Sequence, residues 1–247
     1  MTLPNPQSAV SKKEQVELMF DSIAGSYDFL NHFLSLGLDY GWRRKATSRV
    51  ERHIQGNQMA QVLDVATGTG DLAIMMAKRN ACFITGIDLS DQMLKLATQK
   101  IAKENLSHLV TLCKGDSEKL EFADHCFDVA TVSFGVRNFE NRKAGLSEIQ
   151  RVMKSGGAFV MLEFSRPEKF LIKFFYRFCF SWALPLVGRI ISRDRRAYPY
   201  LYESIMAFPT REEMIAELKG AGFESITAKK LTGGVCTLYQ AYKNNGN

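Results

Sequence analysis

The chain has 247 residues, 46% of them hydrophobic and 23% charged, with a net charge of +6. This is an ordinary globular composition, long enough for a sizeable core, and its mild basicity fits anionic lipid, nucleic acid or an anionic small molecule without selecting one. Five scattered cysteines without a CxxC pair, and four histidines far apart in the chain, argue against a metal site or a disulfide framework and for a reducing, cytoplasmic setting.

Residues 1–11 read as a loose tail that lacks the basic start and apolar stretch of a signal peptide. From Lys12 to Arg52 apolar residues fall at helical spacing, as at Val16, Met19, Phe20 and Ile23, punctuated by Gly25, Gly37 and Gly41. Two or three short helices are expected there. From Gln61 the pattern changes. "QVLDVA", "CFITGIDLS", "VTLCKGD", "FDVATVSF" and "GAFVMLEFS" read as short apolar strands. Between them "DLAIMMAKRN", "DQMLKLATQKIAKEN" and "RKAGLSEIQRVMK" read as helices, the second capped by Ser90 or Asp91 and the third stopped by Ser155, Gly156 and Gly157. Strands alternating with helices imply βαβ units and a parallel sheet. Near the end, "TREEMIAELKGAGF" is a helix with Thr210 and Glu213 as a capping box. "ESITAKKL" and "VCTLYQAYK" follow as a hairpin around Thr232-Gly233-Gly234.

After the fifth strand lies an apolar and aromatic insertion, Phe170 to Ile191, that also contains Lys173, Arg177, Arg189 and Pro185. Those charges exclude a membrane-spanning helix. Two readings stay open: a buried helical pair that completes the core, or a lid that grips a lipid-like substrate or rests on a membrane surface.

Three strand ends carry candidate chemistry. In "LDVATGTGDLA" (Leu63 to Ala73), Gly68 and Gly70 sit between a strand and a helix, where backbone N–H groups approach a ligand closely. Gly68 to Ala73 also fits the looser dinucleotide pattern, so a nicotinamide-dependent dehydrogenase is a competing reading. Asp88 ends the second strand, where a carboxylate accepts from both hydroxyls of a ribose. Asp116 and Ser117 follow the third strand, where an acid accepts the amine of adenine. Asp64 and Asp71, on either side of the glycine loop, suit a sulfonium with an amino acid group better than a pyrophosphate.

Together "VLDVATGTGD", "GIDLSDQML" and "RVMKSGGAFVMLEFS" resemble class I S-adenosylmethionine-dependent methyltransferases. "YDFLNHFLSLGLDYGWRR", "VSFGVRNF", "YPYLYESIMAFP" and "LTGGVCTLYQAYK" narrow the resemblance to the ubiquinone/menaquinone biosynthesis C-methyltransferase family, over residues 15–243. Asp39-Tyr40-Gly41 departs from that family, many of whose members carry His and a basic residue before the Trp. Ser155 stands where Pro is common.

The resemblance implies a Rossmann-like α/β fold: a mostly parallel seven-stranded sheet ending in an antiparallel hairpin. One domain, 1–247, is expected, divided into an N-terminal helical cap (1–55), a cofactor-binding core (60–164), the aromatic helical insertion (165–209) and a C-terminal helix and hairpin (210–243). S-adenosylmethionine is the implied cofactor, with Thr69, Asp88, Asp116, Ser117 and Ser133 at it, beside Asp64, Gly68 and Gly70 from the loop itself. The implied substrate is a polyprenylated quinol, either demethylmenaquinol or a benzoquinol precursor of ubiquinone.

Carbon methylation of a quinol asks for stabilisation of a phenolate. Arg137 and Asn138, directly after the fourth strand, are the candidates, with an ion pair from Arg137 to Glu163 or Asp28 as the structural alternative. Asp28, Glu163 and water are the candidate proton acceptors, with His32 in the N-terminal segment a weaker one that reads more readily as structural, and Asp28 is the one placed with the catalytic residues. Tyr27 and Asn31 are expected in a segment folded over the cofactor, and Phe170, Phe174 and Trp182 on the polyprenyl tail. The extraction of such a tail points to docking at the inner face of a membrane. Lys and Arg form no aromatic-interleaved array, so no nucleic-acid partner is expected, while a methyltransferase acting on RNA or another small molecule is an alternative, as is a quinol-binding module without catalysis. A homo-oligomer is left open.

Overall fold

The structure, a computed structural model, describes residues 2–80, 82–166 and 197–244. Seven strands form one sheet in the order β3-β2-β1-β4-β5-β7-β6. They are β1 (Gln61–Val65), β2 (Phe83–Asp88), β3 (Val110–Lys114), β4 (Phe127–Ser133), β5 (Met153–Phe164), β6 (Phe223–Leu231) and β7 (Cys236–Lys243). The first five are mutually parallel, and β7 runs antiparallel between β5 and β6. The expected sheet and its terminal hairpin are therefore present.

The sheet is covered on both faces. Successive side chains on a strand point to opposite sides. Val62 joins a core with Trp42 and Val50 of α2 (Leu38–Ile54), Leu72 and Met76 of α3 (Asp71–Asn80), and Ala97 and Ile101 of α4 (Asp91–Lys103). Its neighbours Leu63 and Val65 join the opposite core, with Leu146 and Ile149 of α5 (Arg142–Val152) and Met214 and Leu218 of a helix α7 (Arg211–Gly220). Strands buried on both faces explain the unbroken apolar runs read in the sequence.

The chain reverses its direction of travel across the sheet beside β1, which pairs with β2 on one edge and β4 on the other. This is the topological switch point, where open α/β sheets bind ligands at the carboxyl ends of their strands. Across that edge lies α1 (Lys12–Leu34). A short helix α6 (Ala197–Ala207) supplies Tyr200, which packs on Val16 and Met19 of α1.

Two boundaries differ from expectation. The N-terminal stretch is two helices, and both Gly25 and Gly41 lie inside them. Only Gly37, at a φ of 73°, breaks the helix, because its left-handed conformation turns the chain. The helix before β5 ends at Val152, ahead of the Ser-Gly-Gly stop, because Met153 pairs with Phe127 and starts the strand early.

Candidate functional site

The first loop is built around Asp64. Its carboxylate accepts from Thr67 Oγ1 (2.7 Å) and Thr131 Oγ1 (2.5 Å), and the residue is 1% exposed. Burial pushes this carboxyl up to about 6, against the opposing pull of those two hydroxyls. Asp64 therefore lies beneath the loop and ties β1 to β4, away from the cleft in which a cofactor contact was expected. Gly68, at a φ of 57°, turns its N–H onto Asp88 Oδ2 at 2.8 Å. Gly70 serves packing: a Cβ there would come within 3.2 Å of the Ala97 Cβ on α4. Gly135, which the sequence reading passed over, is needed for a similar reason, since a Cβ would meet that of Ala66 at 2.6 Å and force the first and fourth loops apart.

These loops border an open cleft at the carboxyl edge of the sheet, the usual place for a small-molecule site in such folds. Asp88 and Asp116 supply carboxylates from the ends of β2 and β3, and Ser117, Ser133 and Asn138 add polar groups. Burial raises the Asp88 carboxyl, while N–H groups of Ser90 and Gly68 stabilise its charged form. Asp116 accepts from Glu118 N at 2.9 Å and from the Lys13 ammonium of α1. The buried hydroxyl of Ser133 has no partner among the described residues and lines this cleft, where a ligand atom or a water can supply one. Two acids at the ends of β2 and β3 and an orphaned hydroxyl in one cleft are compatible with the hydroxyls and amine of S-adenosylmethionine.

The roof of the cleft is α1. Lys13, Glu17, Phe20 and Tyr27, spaced along one helix face, line it. That spacing was the available signal for the first three, which the sequence reading did not place at the site. Burial raises the Tyr27 hydroxyl, opposed by the nearby Arg137 charge and by a hydrogen bond with Asn31. Asn31 thus reaches the site through Tyr27 and does not itself line the cleft. Asp28 points elsewhere. It accepts from Thr69 Oγ1 at 2.5 Å and Lys100 Nζ at 2.9 Å, and neither Asp28 nor Thr69 lines the cleft. The pair joins α1 to the glycine loop from outside, which leaves Asp28 unsuited to receive a proton from a substrate.

Arg137 and Asn138 lie on a short 3-10 turn, Val136–Asn138, at the end of β4. Arg137 is 8% exposed, and of the two ion pairs considered from the sequence the one to Glu163 is present: its Nη1 meets Glu163 Oε1 at 2.9 Å and the Phe134 carbonyl, and its backbone N–H donates to Glu163 Oε2 at 3.1 Å. Its Nε is buried without a partner among the described residues. Burial disfavours its charge, but Glu163 more than compensates and holds the guanidinium protonated. Asn138 lines the cleft, and its Oδ1 accepts from the Tyr200 hydroxyl at 3.1 Å. Lys12 donates from beneath to the carbonyls of Arg137 (3.2 Å) and Phe139 (2.7 Å), which fixes the turn to α1.

Phe170, Phe174 and Trp182, the expected contacts of a polyprenyl tail, lie outside the described residues. Among the described residues no group of three or more His, Cys, Asp or Glu side chains is placed to hold a metal ion.

A family model of the ubiE/COQ5 methyltransferase family matches residues 8–243. The demethylmenaquinone methyltransferase of Bacteroides fragilis is 43% identical, over 94% of each chain. That of Porphyromonas gingivalis is 45% identical, again over 94% of each. A ubiquinone/menaquinone biosynthesis C-methyltransferase of Geotalea daltonii is 41% identical over 94% of this chain and 97% of its own. Among solved structures, the [4+2]-cyclase SpnF superposes with a TM-score of 0.71 at 19% identity, covering both chains completely. An S-adenosylmethionine-dependent methyltransferase of Thermotoga maritima gives 0.64 at 19% identity, over 92% of this chain and 99% of its own. These two share the fold, while the match along nearly the whole sequence decides the family: the chain belongs to the ubiE/COQ5 methyltransferases.

Proposed function

We propose that this enzyme transfers the methyl group of S-adenosylmethionine to a ring carbon of a polyprenylated demethylquinol, with demethylmenaquinol as the substrate and the benzoquinol precursor of ubiquinone as the one to compare with it. The names of its relatives support the substrate class. The observation that carries the reading is the meeting of Asp88, Asp116 and the orphaned Ser133 hydroxyl with Asn138 in one cleft.

The bound cofactor supplies an activated methyl group on a sulfonium, which needs no acid to leave. The chain's work lies on the acceptor. A quinol hydroxyl loses its proton, charge moves to the ortho carbon, the carbon–methyl bond forms as the sulfur–methyl bond breaks, the ring proton then leaves to restore the aromatic ring, and the oxygen takes a proton back to give the methylated quinol. One proton is released overall. Asn138 donates to the phenolate oxygen, and the buried Arg137 charge stabilises it from behind at low local dielectric. Phe20, Phe134 and Phe139 line the same cleft and exclude bulk water. Asp28 and Glu163 commit their carboxylates to other donors, so the protons pass to water. The enzyme works as a peripheral protein on the cytoplasmic side of the membrane that holds its substrate.

The test supplies methyl-labelled S-adenosylmethionine with each reduced demethylquinone and identifies the product. Labelled menaquinol is expected. Label in RNA, or none anywhere while S-adenosylhomocysteine still binds, overturns the reading. In the same assay Arg137→Ala should lose methyl transfer and keep S-adenosylhomocysteine binding. Its stability should fall by about 3–5 kcal/mol, because Glu163 is left buried without its cation, so turnover is read well below the melting temperature. Near-normal turnover removes Arg137 from the mechanism.

A further inference from the structure

We propose that Tyr200 is a positioning residue that holds the side-chain amide of Asn138 with its nitrogen toward the substrate oxygen. The inference rests on the quinol methyl-transfer reading and adds a residue to it.

An asparagine amide has two nearly isosteric orientations, which differ by exchange of a donor for an acceptor. At this position the difference decides the chemistry. With Nδ2 toward the cleft, Asn138 donates to the oxygen that gains charge during methyl transfer. With Oδ1 toward the cleft, it opposes that charge. The backbone of Asn138 leaves the choice open. Its N–H donates to the Gly135 carbonyl at 2.9 Å, and Lys12 grips the carbonyls on either side of it, so the turn is fixed while the amide can still rotate.

Tyr200 makes the choice. Its hydroxyl donates to Asn138 Oδ1 at 3.1 Å, which leaves both Nδ2 protons uncommitted by this bond on a residue that lines the cleft. The tyrosine is itself held in place. It is 3% exposed, on α6, with Val16 and Met19 of α1 packed against it. Burial pushes its hydroxyl up to about 12, against the pull of the Arg137 charge, so it remains a donor throughout the working pH range. Among the described residues, no other side chain hydrogen-bonds the Asn138 amide. Since Asn138 comes from the end of β4 and Tyr200 from a helix far along the chain, the contact forms only when α6 is docked on the edge of the sheet.

The experiment compares wild type, Tyr200→Phe, Asn138→Ala and the double variant. Phenylalanine keeps the ring packing and removes only the hydroxyl. For Tyr200→Phe, kcat should fall about 10- to 100-fold through loss of orientation, with KM and the Kd for S-adenosylhomocysteine within about twofold of wild type. In the Asn138→Ala background the same substitution should cost nothing further, because its effect passes through the amide. Wild-type kcat in Tyr200→Phe, or a full additional loss in the double variant, overturns the proposal. A second readout does not depend on the substrate. The Asn138 side-chain amide resonances, assigned by their disappearance in Asn138→Ala, should shift and exchange faster in Tyr200→Phe bound to S-adenosylhomocysteine. Unmoved resonances refute the hydrogen bond. A wild type that methylates no quinol defeats the substrate reading alone, and the resonances still decide the role of Tyr200.

Discussion

At the residue scale, Asp64 shows how one side chain has a legible place and an illegible direction. Its position at the end of a strand before a glycine loop was readable from the sequence. That it faces Thr131, a strand away, was not, because the pairing of β1 with β4 is a property of the sheet. The buried carboxyl has a measurable consequence. Its folded pKa, about 6, lies above the ordinary 3.8. The native state therefore binds this proton more readily than the unfolded chain does. The stability that comes from holding it is present below about pH 4 and lost as pH rises through about 6. Asp64→Asn removes that titration. Between pH 4 and pH 7 the wild type should lose about 2–3 kcal/mol more unfolding free energy than the variant, since each pH unit between the folded and unfolded values is worth about 1.4 kcal/mol. Urea melts at the two pH values measure it, and parallel changes in both proteins would show that Asp64 is not the group responsible.

At the scale of elements, the strands were legible because burial on both faces makes each a short unbroken apolar run bounded by turn residues. Caps were legible too, as Ser90 accepting from Met93 N and the Thr210–Glu213 box confirm. Helix continuity was not. Gly25 costs α1 some propensity, about 1 kcal/mol, yet the contacts on either side of it outweigh that. Those contacts make α1 a roof over the site. Asp21 accepts from Ser90 Oγ at 2.5 Å and from Gln92 N at 3.3 Å, so an anion on α1 sits at the start of α4. Asp21→Ala removes this attachment without replacing any residue that lines the cleft, and Ser90 keeps its bond to Met93 N. A loss of about 1 kcal/mol should appear as a roughly fivefold faster dissociation of S-adenosylhomocysteine. Stopped-flow displacement reads the rate. An unchanged rate would mean that α1 does not open for the ligand to leave.

At the scale of the whole molecule, the proposed substrate carries a long apolar tail, and no helix among the described residues is long and apolar enough to cross a membrane. The surface offers another means. The turn between α1 and α2 and the first turn of α2 present Leu36, Leu38 and Tyr40 at 71%, 44% and 53% exposure. Leu36 is held at a φ of 52°, next to Gly37 at 73°. A left-handed leucine costs roughly 1–2 kcal/mol, an expense with no return in the core, since the side chain stands in solvent. Trp42, Ala46 and Val50 hold the inner face of α2, while Arg44, Lys45 and Arg52 are exposed on the outer one. An apolar tip beside a basic face matches an anionic lipid surface, on which each cation contributes about 1 kcal/mol and a buried methylene about 0.8. Sedimentation with vesicles should therefore show binding to phosphatidylglycerol-containing membranes that weakens with salt, and little to phosphatidylcholine alone. Leu36→Asp combined with Leu38→Asp should abolish that binding and leave turnover of a short-tailed, water-dispersed quinol unchanged, because neither leucine touches the cleft. Binding by the double variant equal to wild type would place the docking surface elsewhere on the molecule.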